Sequence, residues 1–351
     1  MGSVAPQTPQ VGVSVLVPVL DEQDAIEASV AAMLAQDTEH TVELLMVDGR
    51  SSDETVAILR RLQATDPRIR ILDNPERTTA HALNIGLRAA RGRFVARMDA
   101  HATYPPGYLR HGIERLAAGD VVWVTGPQIP TGAGYWSRIV ATALGARLGR
   151  GASDKWAADA SDAPADEWDL KTSVFTGVWR RETLDELGGW DGAWPVNQDS
   201  EMAARVLAAG GRIVCRREMG AAYVPRNDLR RLARQYWRYG AYRARTFLRH
   251  PSSCGPARIG ASGLPVVLAA ALLPGRIGRL SRGLTAGYLA AIVVQVRRAR
   301  PAPADALPLG VVLVTMHVSW GAGFLQSLVR AAPRRRRLRS TLPSPLRRPV
   351  A

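Results

Sequence analysis

Cysteine is almost absent: Cys215 and Cys254 are the only two in 351 residues, and they have no metal-ligand spacing. A disulfide framework and a zinc site are therefore not indicated. Acid is almost absent from the C-terminal part. Between 251 and 351 stand fifteen arginines and the single acid Asp305, so +14 of the net +15 resides there and residues 1–250 are close to neutral. That asymmetry argues against a nucleic-acid-binding surface spread over the body, and points to a basic C-terminal appendage. There is no G-x-G-x-x-G after the first apolar run and no G-x-x-x-x-G-K-S/T anywhere, so dinucleotide and P-loop chemistry lack support and phosphate must be held another way. The start, MGSVAPQTPQ, has no basic segment before an apolar core and does not read as a signal peptide. It opens like a myristoylation site but has Pro6 where Ser or Thr is wanted.

The basic appendage is also the most apolar part of the chain. Leu264 to Leu273, Leu284 to Val296 and Leu307 to Val329 carry no charge, and arginines lie between and after them. Basic residues flanking uncharged apolar segments are expected of a cytoplasmic membrane anchor. The last segment approaches spanning length, while the others are shorter and interrupted by Gly or Pro. Two crossings plus one interfacial segment are expected, with the body facing the cytoplasm; buried helices of a soluble domain are the alternative.

Upstream, strand and helix signals alternate. Val11 to Val19 reads as a strand buried on both faces, followed by a helix over Ala25 to Ala35. Strands are predicted over Val42 to Val47, Ile69 to Leu72 and Phe94 to Met98, with helices over Ser52 to Gln63 and Ala80 to Ala90 between them. Such alternation gives a doubly wound sheet, which binds ligands off the carboxyl ends of its strands. Asp21 and Glu22, Asp48, and Asp99 with His101 all fall at such ends. Further helices are predicted over Arg181 to Leu187, Ser200 to Ala209 and Leu229 to Arg249, and a strand over Arg212 to Arg216. Gly149 to Trp168 has no period and reads as a surface loop.

Four constellations carry chemistry. Asp99 and His101 stand two apart after a strand, where both can reach one divalent ion that neutralises a diphosphate leaving group; the imidazole shifts preference from Mg2+ toward Mn2+. Asp48 ends a strand where it can accept from a base or ribose, or can form a turn with Gly49. Asp199 opens a helix whose dipole favours its ionised form, as a base for an acceptor hydroxyl or as an N-cap. Gln235 and Arg238 share a helix face, with Trp237 offering a flat surface to a sugar ring and Arg238 a fork to phosphate; a basic helix on a membrane surface is the other reading.

In order, VPVLDE (Val17 to Glu22), VDGRSSDET (Val47 to Thr55), AHALNIGLRAARGRFVARMDAH (Ala80 to His101), FTGVWRRETLDELGGWD (Phe175 to Asp191), QDSE (Gln198 to Glu201) and QYWRY (Gln235 to Tyr239) resemble the motifs of family 2 inverting glycosyltransferases of the GT-A fold. The DAHA-x-YP form and the short C-terminal apolar segments look most like the succinoglycan-type enzymes. The resemblance implies that Pro18 and Glu22 lie in the first nucleotide-contacting loop and that Asp48 contacts the uracil. It makes Asp99 the first acid of the D-x-D metal motif and Asp199 the base of the E-D motif, and likens Gln235 to Tyr239 to the Q-x-x-R-W motif. His101 stands where most members have aspartate, Gln198 where most have glutamate, and Tyr239 where most have tryptophan. The last substitution leaves processive polymerisation unsupported.

The expectation is thus a membrane-associated, metal-dependent, inverting hexosyltransferase. A nucleotide-sugar, UDP-linked by preference, would be its donor, and a lipid-linked saccharide or growing polysaccharide its acceptor; nucleic acid is not a partner. Its expected organisation is a flexible N-terminus (1–10), a GT-A domain (11–250) with a doubly wound mixed sheet, membrane-associated helices (258–330) and a basic disordered tail (331–351). The competing functions are a non-catalytic membrane scaffold that retains the fold, and a sugar-nucleotide nucleotidyltransferase, which would need a Gly-rich N-terminal loop that LVPVLDEQ does not supply.

Overall fold

A computed structural model describes residues 11–151, 153–156, 166–171 and 174–331. The expected N-terminal segment, the basic tail after Ala331 and residues 152 and 157–165 of the expected loop lie outside the described residues, while the two ends of that loop enter a short helix up to Arg150 and a strand from Glu167. The described chain forms two compact units, one from residues 11–127 and 166–222, the other from residues 128–156 and 223–331.

The first unit opens with β1 (Val13–Val19), α1 (Ile26–Leu34), β2 (Val42–Asp48), α2 (Thr55–Thr65), β3 (Ile69–Asp73), α3 (Thr79–Ala89), β4 (Phe94–Arg97), β5 (Ala102–Thr103), α4 (Tyr108–Ala117) and β6 (Trp123–Thr125). Residues 128–156 contribute β7 (Gln128–Pro130), α5 (Tyr135–Gly145) and α6 (Arg147–Arg150) to the second unit. The first unit is then completed by β8 (Glu167–Asp169), β9 (Gly177–Arg180), α7 (Arg181–Glu186), α8 (Gln198–Ala208), β10 (Ile213–Arg216) and β11 (Ala221–Tyr223), whose last residue belongs to the second unit. Its main sheet has eight strands in the order β3-β2-β1-β4-β9-β6-β10-β8. β1 to β4 are mutually parallel, as the alternation predicts. β9 inserts antiparallel between β4 and β6, which makes the sheet mixed.

The continuous apolar run of β1 has its cause in burial on both faces: Val13, Val15, Leu16 and Val17 are fully buried. α1 closes one face with Ile26, Val30 and Met33, at helical spacing. α2 starts three residues later than predicted, at Thr55, because Ser52 and Asp53 are drawn into contacts with the loop after β1. α7 ends where Gly188 and Gly189 adopt φ values of +70° and +69°, which a side-chain-bearing residue resists.

In the second unit α9 (Leu229–Arg249) has the predicted bounds, and Asp228 caps it by accepting from Arg231 N at 2.7 Å. The chain continues through α10 (Pro256–Ser262), α11 (Leu264–Ala270), α12 (Gly275–Ala299) and α13 (Ala306–Ala331). The helix over Pro303–Ala331 is the only one among the described residues long and apolar enough to cross a membrane. α11 is too short, and α12 begins among Arg276, Arg279 and Arg282.

α9 and α13 approach closely because a Cβ on Gly240 would meet the Trp320 carbonyl, and one on Gly323 the Trp237 carbonyl. Gly240→Ala should therefore lower stability by about 1–3 kcal/mol through overpacking, against a helix-propensity gain of about 1 kcal/mol. A thermal melt that shows Gly240→Ala more stable than wild type would contradict this account of the crossing.

Candidate active site

The ends of three parallel strands are level. Val19 of β1 pairs in register with Asp48 of β2, and Asp48 with Asp73 of β3, while Pro18 lies half-buried opposite Val47. The loops beyond β1 and β2 are fastened to each other. Asp21, with φ +53°, accepts from Ser52 N (2.7 Å), Ser51 Oγ accepts from Asp21 N (2.9 Å), and Thr55 Oγ1 accepts from Glu22 N (2.8 Å). Asp53 accepts from Gln23 N (3.2 Å) and Thr55 N (3.0 Å), and its hydrogen bond with Thr55 holds its carboxyl below the ordinary range, in keeping with a helix-start role. Glu22 is thereby fixed at the rim without spending its carboxylate on the loop.

Asp48 is buried, and its carboxylate accepts from Ser51 Oγ (2.6 Å) and Ser51 N (3.3 and 3.2 Å). The turn is thus closed on Ser51, with Arg50 in the left-handed region at φ +58°; Gly49 N instead donates to Val19 O (2.8 Å). A carboxylate offers about four lone-pair sites, so Asp48 keeps acceptor capacity beyond the turn.

The centre of the site is Arg97, which sequence reasoning overlooked. Its guanidinium donates from Nε to Asp99 Oδ1 (2.8 Å), from Nη2 to Asp99 Oδ2 (3.1 Å) and from Nη1 to Asp199 Oδ1 (2.5 Å). The side chain is only 6% exposed. Burial by itself lowers an arginine's proton affinity, but the charges of Asp199 and Asp99 outweigh it and hold Arg97 above its ordinary value. The available signal was an arginine inside the apolar run FVARM, since a charge in a strand buried on both faces must be paired. Two residues on, Asp99 is its nearest acid.

Behind Asp99 lies a phenol shelf. Asp99 N donates to Tyr104 Oη (2.7 Å), and Tyr104 packs edge-on against Tyr108 at 4.9 Å between centroids. Burial first, and then the charge of Asp99, push the Tyr104 hydroxyl well above its ordinary value, so it stays neutral. Asp199 lies in the first turn of α8, whose N-cap is Asn197 in the left-handed conformation at φ +61°. It is therefore not the N-cap, and the helix dipole favours its anion.

The strand ends at Arg97, so residues 99–101 lie in a turn and not in the extended segment that shared ligation by Asp99 and His101 requires. The pair two apart that the backbone brings onto one interaction is Arg97 with Asp99. His101, half exposed, places Nδ1 2.8 Å from Glu22 Oε1. As arranged, these groups do not fit a resident divalent ion: both Asp99 oxygens accept from a guanidinium, and among the described residues no group of three or more His, Cys, Asp or Glu is gathered for a metal.

In the second unit Gln235 on α9 donates from Nε2 to Tyr239 Oη (2.8 Å) and Tyr223 Oη (3.4 Å). Trp237 is half-buried on the same helix, with its carbonyl against Gly323, and Arg238 is exposed. Tyr239 is thus a partner of Gln235 within one turn of helix, a role that its resemblance-based reading as a substituted tryptophan did not anticipate.

Residues 14–177 match the sequence profile of Glycosyl transferase family 2. The succinoglycan biosynthesis protein ExoA of Rhizobium meliloti (strain 1021) is 29% identical over 328 residues, which cover 90% of this chain and 94% of that protein. A Methanococcus voltae protein, dolichyl N-acetyl-alpha-D-glucosaminyl phosphate 3-beta-D-2,3-diacetamido-2,3-dideoxy-beta-D-glucuronosyltransferase, is 22% identical over 65% of this chain and 72% of its own. Among solved structures, the mannosyltransferase PcManGT from Pyrobaculum calidifontis in complex with GDP-Man and Mn2+ shares the fold, with TM-score 0.60 over 93% of this chain and 90% of that one at 23% identity.

Proposed function

We propose, for a chain that carries a Glycosyl transferase family 2 domain, that it transfers a sugar from a nucleoside-diphosphate donor, UDP-linked by preference, to a hydroxyl of a lipid-linked or growing polysaccharide acceptor. The observation that carries the reading is the single guanidinium of Arg97 holding both Asp99 and Asp199, which puts the donor-side acid and the candidate base within one residue's reach. Asp48, at the level end of β2, takes the nucleoside, with Pro18 and Glu22 lining the adjoining loop. Asp199 accepts the proton of the acceptor hydroxyl as its oxygen bonds to the anomeric carbon. The carbon–phosphate-oxygen bond breaks on the opposite side, and the nucleoside diphosphate leaves with the electron pair. One displacement inverts the centre, so an α-linked donor yields a β-glycoside. A divalent cation belongs to this reading as a companion of the donor's diphosphate.

On the acceptor side the reading uses Gln235, Trp237 and Arg238. A lipid-linked acceptor is supported by the name of the Methanococcus relative, and a growing polysaccharide by that of the Rhizobium relative. Location at the cytoplasmic membrane, with the catalytic unit facing the cytoplasm, is supported by the long apolar α13 and by α12, where exposed Ile277, Leu280 and Leu284 alternate with arginines.

The donor assignment is tested by thermal shift with UDP-, GDP- and dTDP-sugars, each with and without Mn2+. The cognate donor at a hundred times its Kd should stabilise the protein by about 2.7 kcal/mol. Asp48→Ala should weaken that donor by about 10- to 100-fold, the worth of a charge-assisted hydrogen bond. Undiminished donor affinity in Asp48→Ala would remove Asp48 from the site.

A further inference from the structure

The helix long and apolar enough to cross a bilayer is not the one whose apolar side is bare. Along α13 the large apolar residues left exposed are Leu307, Val311 and Val329, all towards its ends, while Val312, Leu313, Met316 and Phe324 between them are buried. The helix lies along α9 for most of its length: Leu309 to Met316 share a core with Leu232, Trp320 and Gly323 meet Gly240 and Trp237, and Phe324 shares a core with Ala244. Its middle is fixed to protein through His317, whose Nε2 donates to Leu148 O (3.0 Å) while Nδ1 accepts from Tyr288 Oη of α12 (3.0 Å). α9 carries seven arginines from Arg230 to Arg249, and Arg231, Arg234, Arg238 and Arg245 among them are exposed. A bilayer that received α13 lengthwise would receive α9 with it, and an arginine at almost every turn is what hydrocarbon excludes.

α12 has the opposite exposure, with Ile277, Leu280, Leu284, Leu289, Val293 and Val294 bare along its length. Arg276, Arg279 and Arg282 stand at its start and Arg297, Arg298 and Arg300 at its end, and Asp305 is the single acid between 251 and 331. The fourteen uncharged residues between Arg282 and Arg297 rise only about 21 Å as helix, short of roughly 30 Å of hydrocarbon. A crossing would also put one arginine triplet on the far side, against the bias that keeps arginine in the cytoplasm. At the second triplet Arg300 takes φ +48°, a conformation usually left to glycine, and a cavity of about 460 Å³ is lined by Val294, Arg297, Arg298 and Arg300. Guanidinium groups beside an apolar wall suit a lipid phosphate whose chains lie against the helix.

We propose that the second unit sits on the membrane without crossing it: α12 lies in the plane of the cytoplasmic leaflet, its bare apolar residues in the headgroup boundary and its two arginine triplets on the phosphates of anionic lipids, while α13 is the unit's own core helix. This rests on the membrane location read above and assigns the attachment to α12. The two crossings expected from the apolar segments are not part of it, because the longest segment is covered by protein and the arginines of α12 hold both its ends to one side. Lipid charge, and not only apolar burial, then sets how tightly the chain is held.

Two measurements on the full chain test this. In the first, protein is diluted from detergent onto preformed vesicles, either neutral phosphatidylcholine or phosphatidylcholine with about 30% phosphatidylglycerol, and flotation is read. Wild type should bind the anionic vesicles at least about tenfold more tightly than the neutral ones, and several-fold less tightly again at about 0.5 M salt. Arg276→Gln combined with Arg279→Gln should weaken anionic binding by about 10- to 30-fold and leave neutral binding unchanged. Leu280→Ser combined with Leu284→Ser should weaken both. Equal binding of wild type to the two vesicles overturns the assignment of anionic lipid. In the second, single cysteines are introduced as Ala302→Cys, between α12 and α13, and Ala331→Cys, at the end of α13; the native Cys215 and Cys254 are buried. Both introduced thiols should resist a membrane-impermeant maleimide in intact spheroplasts and react once the membrane is permeabilised. Labelling of either from outside establishes a crossing and removes the in-plane arrangement while leaving the membrane location standing. If wild type floats with neither vesicle and washes from the membrane fraction in plain buffer, the membrane location falls and this proposal with it.

Discussion

Asp199→Asn should reduce sugar transfer by about 10²- to 10⁴-fold in kcat, the range expected when a positioned general base is lost, while leaving donor affinity within about twofold of wild type. The substitution is isosteric, and the amide oxygen can still accept from Arg97 Nη1, so the bridge that holds α8 to the loop after β4 persists. What is lost is the capacity to take a proton. The side chain lies in the first turn of an 11-residue helix, where the dipole stabilises a negative charge, and beside a guanidinium that does the same. Both influences act on a charge that asparagine does not carry. Single-turnover transfer with donor held saturating separates the chemical step from binding. Near-normal transfer by Asp199→Asn with donor bound would sink the assignment of the base.

How much of this site is legible in the amino-acid sequence depends on what each residue must satisfy locally. The alternation from Val13 to Arg97 is legible because parallel strands buried on both faces have to be apolar along their whole length, and their helices must turn one apolar stripe inward. The strand-end acids are legible for the same reason, being the first polar residues after such runs. The antiparallel insertion of β9 is not, since it joins Gly177–Arg180 to strands some eighty and fifty residues earlier, and a four-residue strand carries no periodicity. β6 and β8, each of three residues, escape likewise. α12 begins at Gly275, well before the apolar segment starting at Leu284, because Arg276, Arg279 and Arg282 recur every three residues on one side of the helix while Ile277 and Leu280 continue the apolar set. Arg97 is hidden in plain view. A strand pattern classes it as a single polar interruption, and only the two acids it binds, one of them 102 positions away, reveal why a charge is tolerated there.

The helix that carries Asp199 is itself held by a second buried pair, and breaking it should give the largest stability loss in the first unit. Glu201 is fully buried; Arg205, one turn later and 9% exposed, donates from Nε to both its oxygens at 3.1 and 2.9 Å. The same guanidinium donates to Leu187 O (2.6 Å) and Gly189 O (2.8 Å), closing the turn that ends α7. Arg205→Leu should therefore cost about 3–5 kcal/mol, because a carboxylate loses its buried counter-charge and two carbonyls lose their donor. Against a total stability of about 5–15 kcal/mol, that is enough to unfold a sizeable share of the molecules at growth temperature. The double change Glu201→Met with Arg205→Leu should recover part of the loss, since it also removes the carboxylate that Arg205 no longer balances. Denaturant midpoints of the two variants, compared with wild type, decide the point: equal losses in both would mean that the carbonyl contacts, and not the ion pair, fix α8. Arg205→Lys is the functional counterpart. It keeps a positive charge near Glu201 but cannot reach two carbonyls and a carboxylate together. It should fold, and yet lower kcat, because Asp199 sits two residues before Glu201 and takes its position from the anchoring of that first turn.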